Sequence, residues 1–189
     1  MRKLIALAAA LSLAAALSLA APATAALAPG AKAPDFATRG ASAGKIVNVR
    51  LAQLLKKGPV VLYFFPAAFT GGCNAEAAAF ADAVPQFRAA GATVLGMSAD
   101  TVDVLQKFST EKCAGKFTVA SAGPKVVQGY DVALGREIKT PSGAMIAATN
   151  RTSYVIDRNG RIAYAHSDLS PTDHVKNTLA AVQRIKARG

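Results

Sequence analysis

The densest chemistry in the chain lies in Pro66-Ala-Ala-Phe-Thr70-Gly-Gly-Cys73. This stretch follows Pro59-Val-Val-Leu-Tyr-Phe-Phe65, an apolar run short enough to be a strand buried on both faces. It opens a segment, 73–90, in which Ala77, Phe80, Ala81, Val84 and Phe87 recur at helical spacing before Gly91 stops the pattern. In α/β sheets, reactive groups collect beyond the carboxyl ends of strands. A cysteine in a first helical turn faces unpaired N–H groups and the positive end of the helix dipole, and both favour thiolate over thiol. Gly71 and Gly72 let a small substrate approach the backbone. Thr70 offers a hydroxyl to the sulfur or to a bound oxygen, and Pro66 can fix the loop and shield the sulfur from water. The pattern fits a nucleophilic thiolate; the inert alternative is a small apolar cysteine packed in a tight turn.

The elements that must position Cys73 can be read in order. Ala92 to Met97 reads as a second buried strand, and a helix capped by Asp100 or Thr101 runs to about Lys112. Phe117 to Ala120 is a short strand, and Pro124 opens a helical segment to about Tyr130. Asp131 to Asn150, with Pro141 and Gly143 and no clear periodicity, is expected to be a long loop. Thr152 to Asp157 and Arg161 to Ala165 flank an Asn159-Gly160 turn and predict a hairpin, with Asp157 serving the turn. Thr172 to Lys186 closes the chain as an amphipathic helix with Val175, Leu179, Val182 and Ile185 inward. The expected fold is α/β: a mixed central β-sheet flanked by helices, parallel in its βαβ units and antiparallel at the late hairpin.

Composition narrows the function classes. Met1-Arg2-Lys3, the apolar run Leu4 to Ala21, Pro22 and Ala23-Thr24-Ala25 form a basic, apolar and small-residue series. That is the secretory pattern, with cleavage expected after Ala25 and 26–189 forming one domain. A retained anchor is the alternative, since the apolar run sits near the lower length for spanning a bilayer. No twin arginine is present, so the general secretory route is the simpler one. The expected location is periplasmic or secreted, with no stable membrane association after cleavage. The chain carries a net charge of +11, which falls to +9 without Arg2 and Lys3. These charges are scattered and form no basic block, so they read as a solvated surface and nucleic acid is not an expected partner. His166 and His174 lack clustered carboxylates; no metal or other cofactor is expected, and both rings are expected to face solvent.

Pro66, Thr70 and Cys73 match the peroxiredoxin motif P-x-x-x-T-x-x-C, in its strand-to-helix setting. Gly30-Ala-Lys-Ala-Pro34-Asp35-Phe36 is similar to the family's opening segment G-x-x-A-P-D-F, and Arg151-Thr-Ser-Tyr-Val-Ile-Asp157 resembles its late strand. The chain therefore resembles the peroxiredoxins of the AhpC/TSA type over about residues 29–185. Cys73-x-x-Glu76 and Phe80 bring it nearest to the bacterioferritin-comigratory-protein subgroup. The resemblance implies a thioredoxin-like fold with an N-terminal extension. It also implies that Cys73 attacks a hydroperoxide to give a sulfenic acid, with Arg151 stabilising charge and Thr70 and the Cys73 N–H orienting the peroxide. Glu76 is a candidate partner in that site, although an acid in a first helical turn is also ordinary dipole chemistry. The implied partners are a hydroperoxide and a thioredoxin-like or other thiol reductant, the protein itself being a monomer or homodimer.

Two departures from the pattern matter. Many members of this subgroup carry a second cysteine five residues after the first, where this chain has Ala78, and many have Pro where it has Gly71. The remaining cysteine is Cys113, followed by Ala114-Gly115. In some relatives a resolving cysteine sits in the corresponding helix, which makes Cys113 the candidate for a disulfide with Cys73. A free, packed thiol and a static structural disulfide are the alternatives. Two readings of the whole chain compete with a peroxidase: a non-catalytic thioredoxin-fold binding protein and a thiol–disulfide oxidoreductase, although the latter usually needs C-x-x-C.

Overall fold

The computed structural model describes residues 26–188, so the expected signal segment and its cleavage site lie outside the described residues. An N-terminal hairpin comes first, β1 (Ala37–Ser42) and β2 (Lys45–Arg50), followed by the short helix α1 (Leu51–Leu55). The central units follow: β3 (Val60–Phe64), α2 (Gly71–Ala89), β4 (Thr93–Ser98), α3 (Val102–Glu111), β5 (Thr118–Ser121) and α4 (Pro124–Gly129). A ribbon of β6 (Ala133–Lys139) and β7 (Met145–Thr149) leads to β8 (Thr152–Ile156), β9 (Ile162–Ser167) and α5 (His174–Arg188).

Seven strands form one mixed sheet in the order β2-β1-β5-β4-β3-β8-β9. β3, β4 and β5 are parallel, joined by α2 and α3, whereas β8 runs antiparallel to β3 and β9 antiparallel to β8. This is the expected mixed α/β arrangement, with the thioredoxin-like βαβ units at its centre. β3 is buried throughout and alternates between two cores. Val61, Tyr63 and Phe65 point to the side packed by α2, α3 and α5. Leu62 and Phe64 point to the side where α1, α4 and the N-terminal segment close the second core.

Two regions differ from the sequence expectation. Asp131 to Asn150 is not a loop: it contains the two-stranded ribbon β6–β7, with Ile138 opposite Ile146. Pro141 and Gly143 do not break a strand but make its turn. The Gly143 N–H donates to the Thr140 carbonyl at 2.9 Å, and Gly143 has φ of 86°. β6 is charged and largely exposed, β7 is short, and the pair joins no larger sheet, so the ribbon carries little hydrophobic periodicity. The hairpin β1–β2 and α1 also carry weak patterns; their Ala43-Gly44 turn has both residues at positive φ, the requirement of a tight hairpin.

Aromatic packing ties α2 and α3 to β3. Tyr63 stacks on Phe80 of α2, with ring centroids 4.2 Å apart, and Phe65 stacks on Phe108 of α3 at 5.4 Å. Phe69, in the loop leading to α2, meets Phe108 edge-on at 5.3 Å. Offset and edge-on aromatic pairs add to the gain from burial alone. Replacing Phe80 by Ala is expected to cost about 3–5 kcal/mol in urea unfolding, the range for a buried Phe. A loss below about 1 kcal/mol would show that α2 is held to the sheet by other contacts.

Candidate active site

The loop after β3 is fixed by its backbone. The Phe65 N–H donates to the Met97 carbonyl at 3.0 Å, and the Thr149 hydroxyl donates to the Phe65 carbonyl at 2.8 Å. The Ala68 N–H donates to Asp100 Oδ2 at 2.7 Å, and the Ser98 hydroxyl reaches the same oxygen at 2.8 Å. Asp100 is therefore not a helix cap. It is a buried anchor for the reactive loop, a role its sequence position between strand and helix did not reveal. Phe69 adopts φ of 66°, a left-handed conformation uncommon for a bulky residue, and it turns the chain into α2.

α2 begins at Gly71, two residues before the expected start, so Cys73 is its third residue and lies in the first turn. Its thiol is free and buried. The Thr70 hydroxyl donates to the Ala67 carbonyl at 3.0 Å. Its proton is thus committed within the loop, and what it offers a ligand is a lone pair. Pro66 is half-buried just beyond β3. Ala78, where many relatives carry their second cysteine, faces solvent.

Arg151 reaches Cys73 from the other side of the loop. Because β8 is antiparallel to β3, Thr152 pairs with Phe64, and the residue before β8 arrives beside the end of β3. The end of β9 returns to the same place, with Ser167 opposite Thr152. All three guanidinium nitrogens are used. Nε donates to the Leu169 carbonyl at 2.8 Å, Nη1 to Glu76 Oε2, and Nη2 lies 3.5 Å from Cys73 Sγ. Arg151 is only 5% exposed and Glu76 1%. Burial alone would pull the guanidinium toward neutrality, but Glu76 and Cys73 outweigh it and hold the positive charge. A second buried residue on α2, Glu76, is thus part of the site rather than an exposed dipole partner.

His174 corrects the expectation that both histidines face solvent. It is fully buried at the start of α5, and His166 on β9 is half-buried with its ring 4.6 Å from that of His174. Sequence reasoning found no role for His174 because an isolated histidine at a helix start has no local pattern that marks it as buried. Its Nε2 is 3.0 Å from the Asp168 carbonyl and its Nδ1 is 2.8 Å from Ser153 Oγ. A carbonyl only accepts, so Nε2 carries the ring proton and the Ser153 hydroxyl donates to Nδ1. Glu76 Oε1 lies 3.8 Å from Nδ1 and has no hydrogen-bond partner.

Cys113 lies two residues beyond the end of α3, buried and free, so the two thiols are not joined. Burial pushes its thiol up to about 12. Ala114 and Gly115 both adopt positive φ, and the Gly115 N–H closes the helix end on the Ser109 carbonyl at 2.9 Å. Among the described residues no cluster of histidine, cysteine, aspartate and glutamate is arranged to hold a metal, and no helix is long and apolar enough to cross a membrane.

A mixed sheet of this order, with one cysteine in the first turn after a central strand and an arginine from a neighbouring antiparallel strand, defines the thioredoxin-like fold in its peroxiredoxin form. The AhpC/TSA family model matches residues 29–165, and the chain belongs to that family. It is 33% identical over 158 residues to a peroxiredoxin Q of Oryza sativa subsp. japonica, covering 82% of this chain and 67% of the relative. It is 34% identical over 140 residues to the chloroplastic peroxiredoxin Q of Suaeda salsa, covering 73% of this chain. The match spans about 61% of the Suaeda protein's length. Among solved structures, peroxidoxin BcpB from Mycobacterium tuberculosis is 30% identical with a TM-score of 0.71, covering 83% of this chain and 97% of that one.

The buried Glu76–His174 contact is not an ion pair. Burial lifts the Glu76 carboxyl from 4.5 to about 7, against the pull of Arg151, and burial lowers the His174 ring from 6.5 to about 4. Glu76 by itself makes stability fall as pH rises from 4.5 toward 7, because the folded state keeps a proton that the unfolded chain loses. His174 by itself makes stability rise with pH between about 4 and 6.5, because the unfolded chain binds a proton that the folded state does not. The two slopes oppose each other between 4.5 and 6.5. Urea unfolding across that window is expected to show Glu76→Gln gaining stability with rising pH relative to wild type, and His174→Gln losing it. Each difference is bounded by about 1.4 kcal/mol per pH unit, the value of one proton. Parallel curves for the two variants would contradict the assignment.

Proposed function

We propose that this chain is a thiol-dependent peroxidase acting on hydrogen peroxide and alkyl hydroperoxides, with Cys73 as the nucleophile. The observation that carries the reading is the Arg151 guanidinium, tied at two nitrogens and aimed by the third at the Cys73 sulfur. The thiolate attacks the terminal oxygen of the hydroperoxide: an S–O bond forms, the O–O bond breaks, and the leaving alkoxide or hydroxide takes a proton from solvent, completing a two-electron reduction to an alcohol or water. The sulfur is oxidised to sulfenic acid. Arg151 stabilises the negative charge that moves from sulfur to the leaving oxygen, and the Thr70 lone pair accepts the peroxide O–H. A shallow groove lined by Phe69, Val104 and Pro141 together with Asp103, Lys107 and Ser142 lies beside the loop, and its apolar part suits the carbon end of an organic hydroperoxide. A thiol–disulfide oxidoreductase reading is not supported, because Glu76 occupies the place a C-x-x-C motif gives to its second cysteine.

Recycling in this proposal runs through Cys113. Its thiol attacks Cys73–S–OH, the S–S bond forms, and the hydroxyl leaves with the thiol proton as water. A thioredoxin-like dithiol then reduces the disulfide. Because Cys113 is buried and held protonated, the step requires the end of α3 to open, where Ala114 and Gly115 already leave helical geometry. The work is done in the cell envelope or outside the cell, as the basic, apolar and Ala-x-Ala series at residues 1–25 suggests.

Stopped-flow mixing of the reduced protein with hydrogen peroxide is expected to show rapid consumption that Cys73→Ser abolishes. Arg151→Leu is expected to slow it about 10²–10³-fold, the usual effect of losing a group that stabilises transition-state charge. No consumption above the Cys73→Ser control would overturn the peroxidase reading. Mass spectrometry after one equivalent of peroxide is expected to find a 73–113 disulfide in wild type and a sulfenic acid in Cys113→Ser. A wild type that stops at sulfenic acid would assign resolution to an external thiol.

A further inference from the structure

We propose that His174 is a positioning residue of the peroxidatic centre, holding the two groups that aim the Arg151 guanidinium at Cys73. The proposal rests on the peroxidase reading of the site and adds to it a residue on α5, which lies more than 20 positions beyond Arg151 in the chain.

Two arms run from the ring to Arg151. Through Nε2, His174 donates to the Asp168 carbonyl at 3.0 Å. The Asp168 N–H donates to the Arg151 carbonyl at 3.1 Å, and the next carbonyl, of Leu169, accepts from Arg151 Nε at 2.8 Å. The turn after β9 therefore grips Arg151 by backbone and side chain, and His174 grips the turn. Leu169 is itself 56% exposed, so its side chain contributes little burial to hold that turn in place. Through Nδ1, the ring stands 3.8 Å from Glu76 Oε1, the oxygen left without a partner while Oε2 receives Arg151 Nη1. With Nδ1 accepting from Ser153, this arm is a packing contact of the ring against Oε1 and not a hydrogen bond.

The ring is itself locked. Ser153 on β8 donates to Nδ1 at 2.8 Å, and His166 on β9 packs edge-on against it. The titratable and charged groups facing it are Glu76 on α2, Arg151 before β8, His166 on β9 and Asp168 in the turn. A charged imidazole here would stand beside the Arg151 cation. Burial first, then His166 and Arg151, disfavour that charge and together outweigh Asp168, which favours it, so the ring works as a neutral donor–acceptor. A neutral ring can hold both arms without competing with Arg151 for Glu76. A residue with these contacts controls where the cation points, although it does not touch sulfur or substrate.

The test compares His174→Phe, which keeps a ring and removes both nitrogens, with His174→Gln, which keeps a donor for the Asp168 carbonyl. Two quantities are read in a Cys113→Ser background: the rate of sulfenic acid formation with hydrogen peroxide, and the pH profile of Cys73 alkylation by iodoacetamide. His174→Phe is expected to slow the peroxide step about tenfold, the scale found when a residue that orients a reacting group loses its own partner. It is also expected to displace the alkylation profile, and His174→Gln is expected to recover the rate to within about threefold of wild type. A peroxide rate within about twofold of wild type in His174→Phe, or an alkylation profile superimposable on wild type, would overturn the positioning role. If His174→Phe does not fold, His174→Asn decides, because its shorter amide cannot reach the Asp168 carbonyl: a displaced alkylation profile supports the role and a superimposable one overturns it. Should wild type consume no peroxide, the alkylation profiles still report on His174, so failure of the peroxidase reading is distinguishable from failure of this one.

Discussion

A guanidinium with 5% of its residue surface exposed is an expensive object in a protein core, and its charge must be met on every side. Arg151 meets this demand with a carbonyl, a carboxylate and a sulfur, one to each nitrogen. The first two fix the plane of the group. The third is then directed at Cys73 by geometry alone. Much of the fold can be understood from this constraint. Cys73 and Glu76 are three residues apart on one face of α2, so a single rigid helix presents both the sulfur and the carboxylate. Strand order β3-β8-β9, with both pairings antiparallel, brings the end of β3, the start of β8 and the end of β9 to one corner. Had β8 run parallel to β3, Arg151 would have arrived at the opposite edge.

The same burial that sharpens the site would oppose the proposed recycling through Cys113. Cys113 belongs to the core on the α2–α3 side of the sheet, together with Cys73 and Tyr63. Its thiol is held protonated by burial and is inert while the core is closed. Tyr63 lies in the same core: its hydroxyl is buried without a partner, and burial above all holds its proton in place. In the proposed mechanism, peroxide reduction would use the closed structure, in which the loop is anchored by Asp100 and Thr149. Disulfide formation would use an opened one. A helix end finished by two residues at positive φ is the place in the chain where such opening disturbs least.

What the sequence showed, and what it hid, follows from how local each signal is. The strand–loop–helix carrying Pro66, Thr70 and Cys73 is a local pattern, and the buried run before it and the apolar face after it mark its limits clearly. The late hairpin announces itself through Asn159-Gly160, and Asp157 does accept from the Asn159 and Arg161 N–H groups. The ribbon β6–β7 lacks a marking pattern because β6 is largely exposed and only the last two residues of β7 are buried, too few to show a hydrophobic alternation. Asp100 and His174 were missed for a different reason. Their roles are set by residues far along the chain, Ala68 for one and Glu76, Ser153 and Asp168 for the other. Only tertiary packing distinguishes such residues from a helix cap or a surface histidine.

That Glu76 and Arg151 act as one unit on Cys73 is tested most directly by a double-mutant cycle on the second-order rate of Cys73 with hydrogen peroxide. The variants are Glu76→Gln, Arg151→Leu and the pair combined. If the carboxylate works only by aiming the guanidinium, removing Glu76 from a protein that already lacks Arg151 costs nothing further. The double variant would then react as slowly as Arg151→Leu alone. Rate losses that multiply across the two sites would show that each residue acts on the sulfur independently, and would contradict the account.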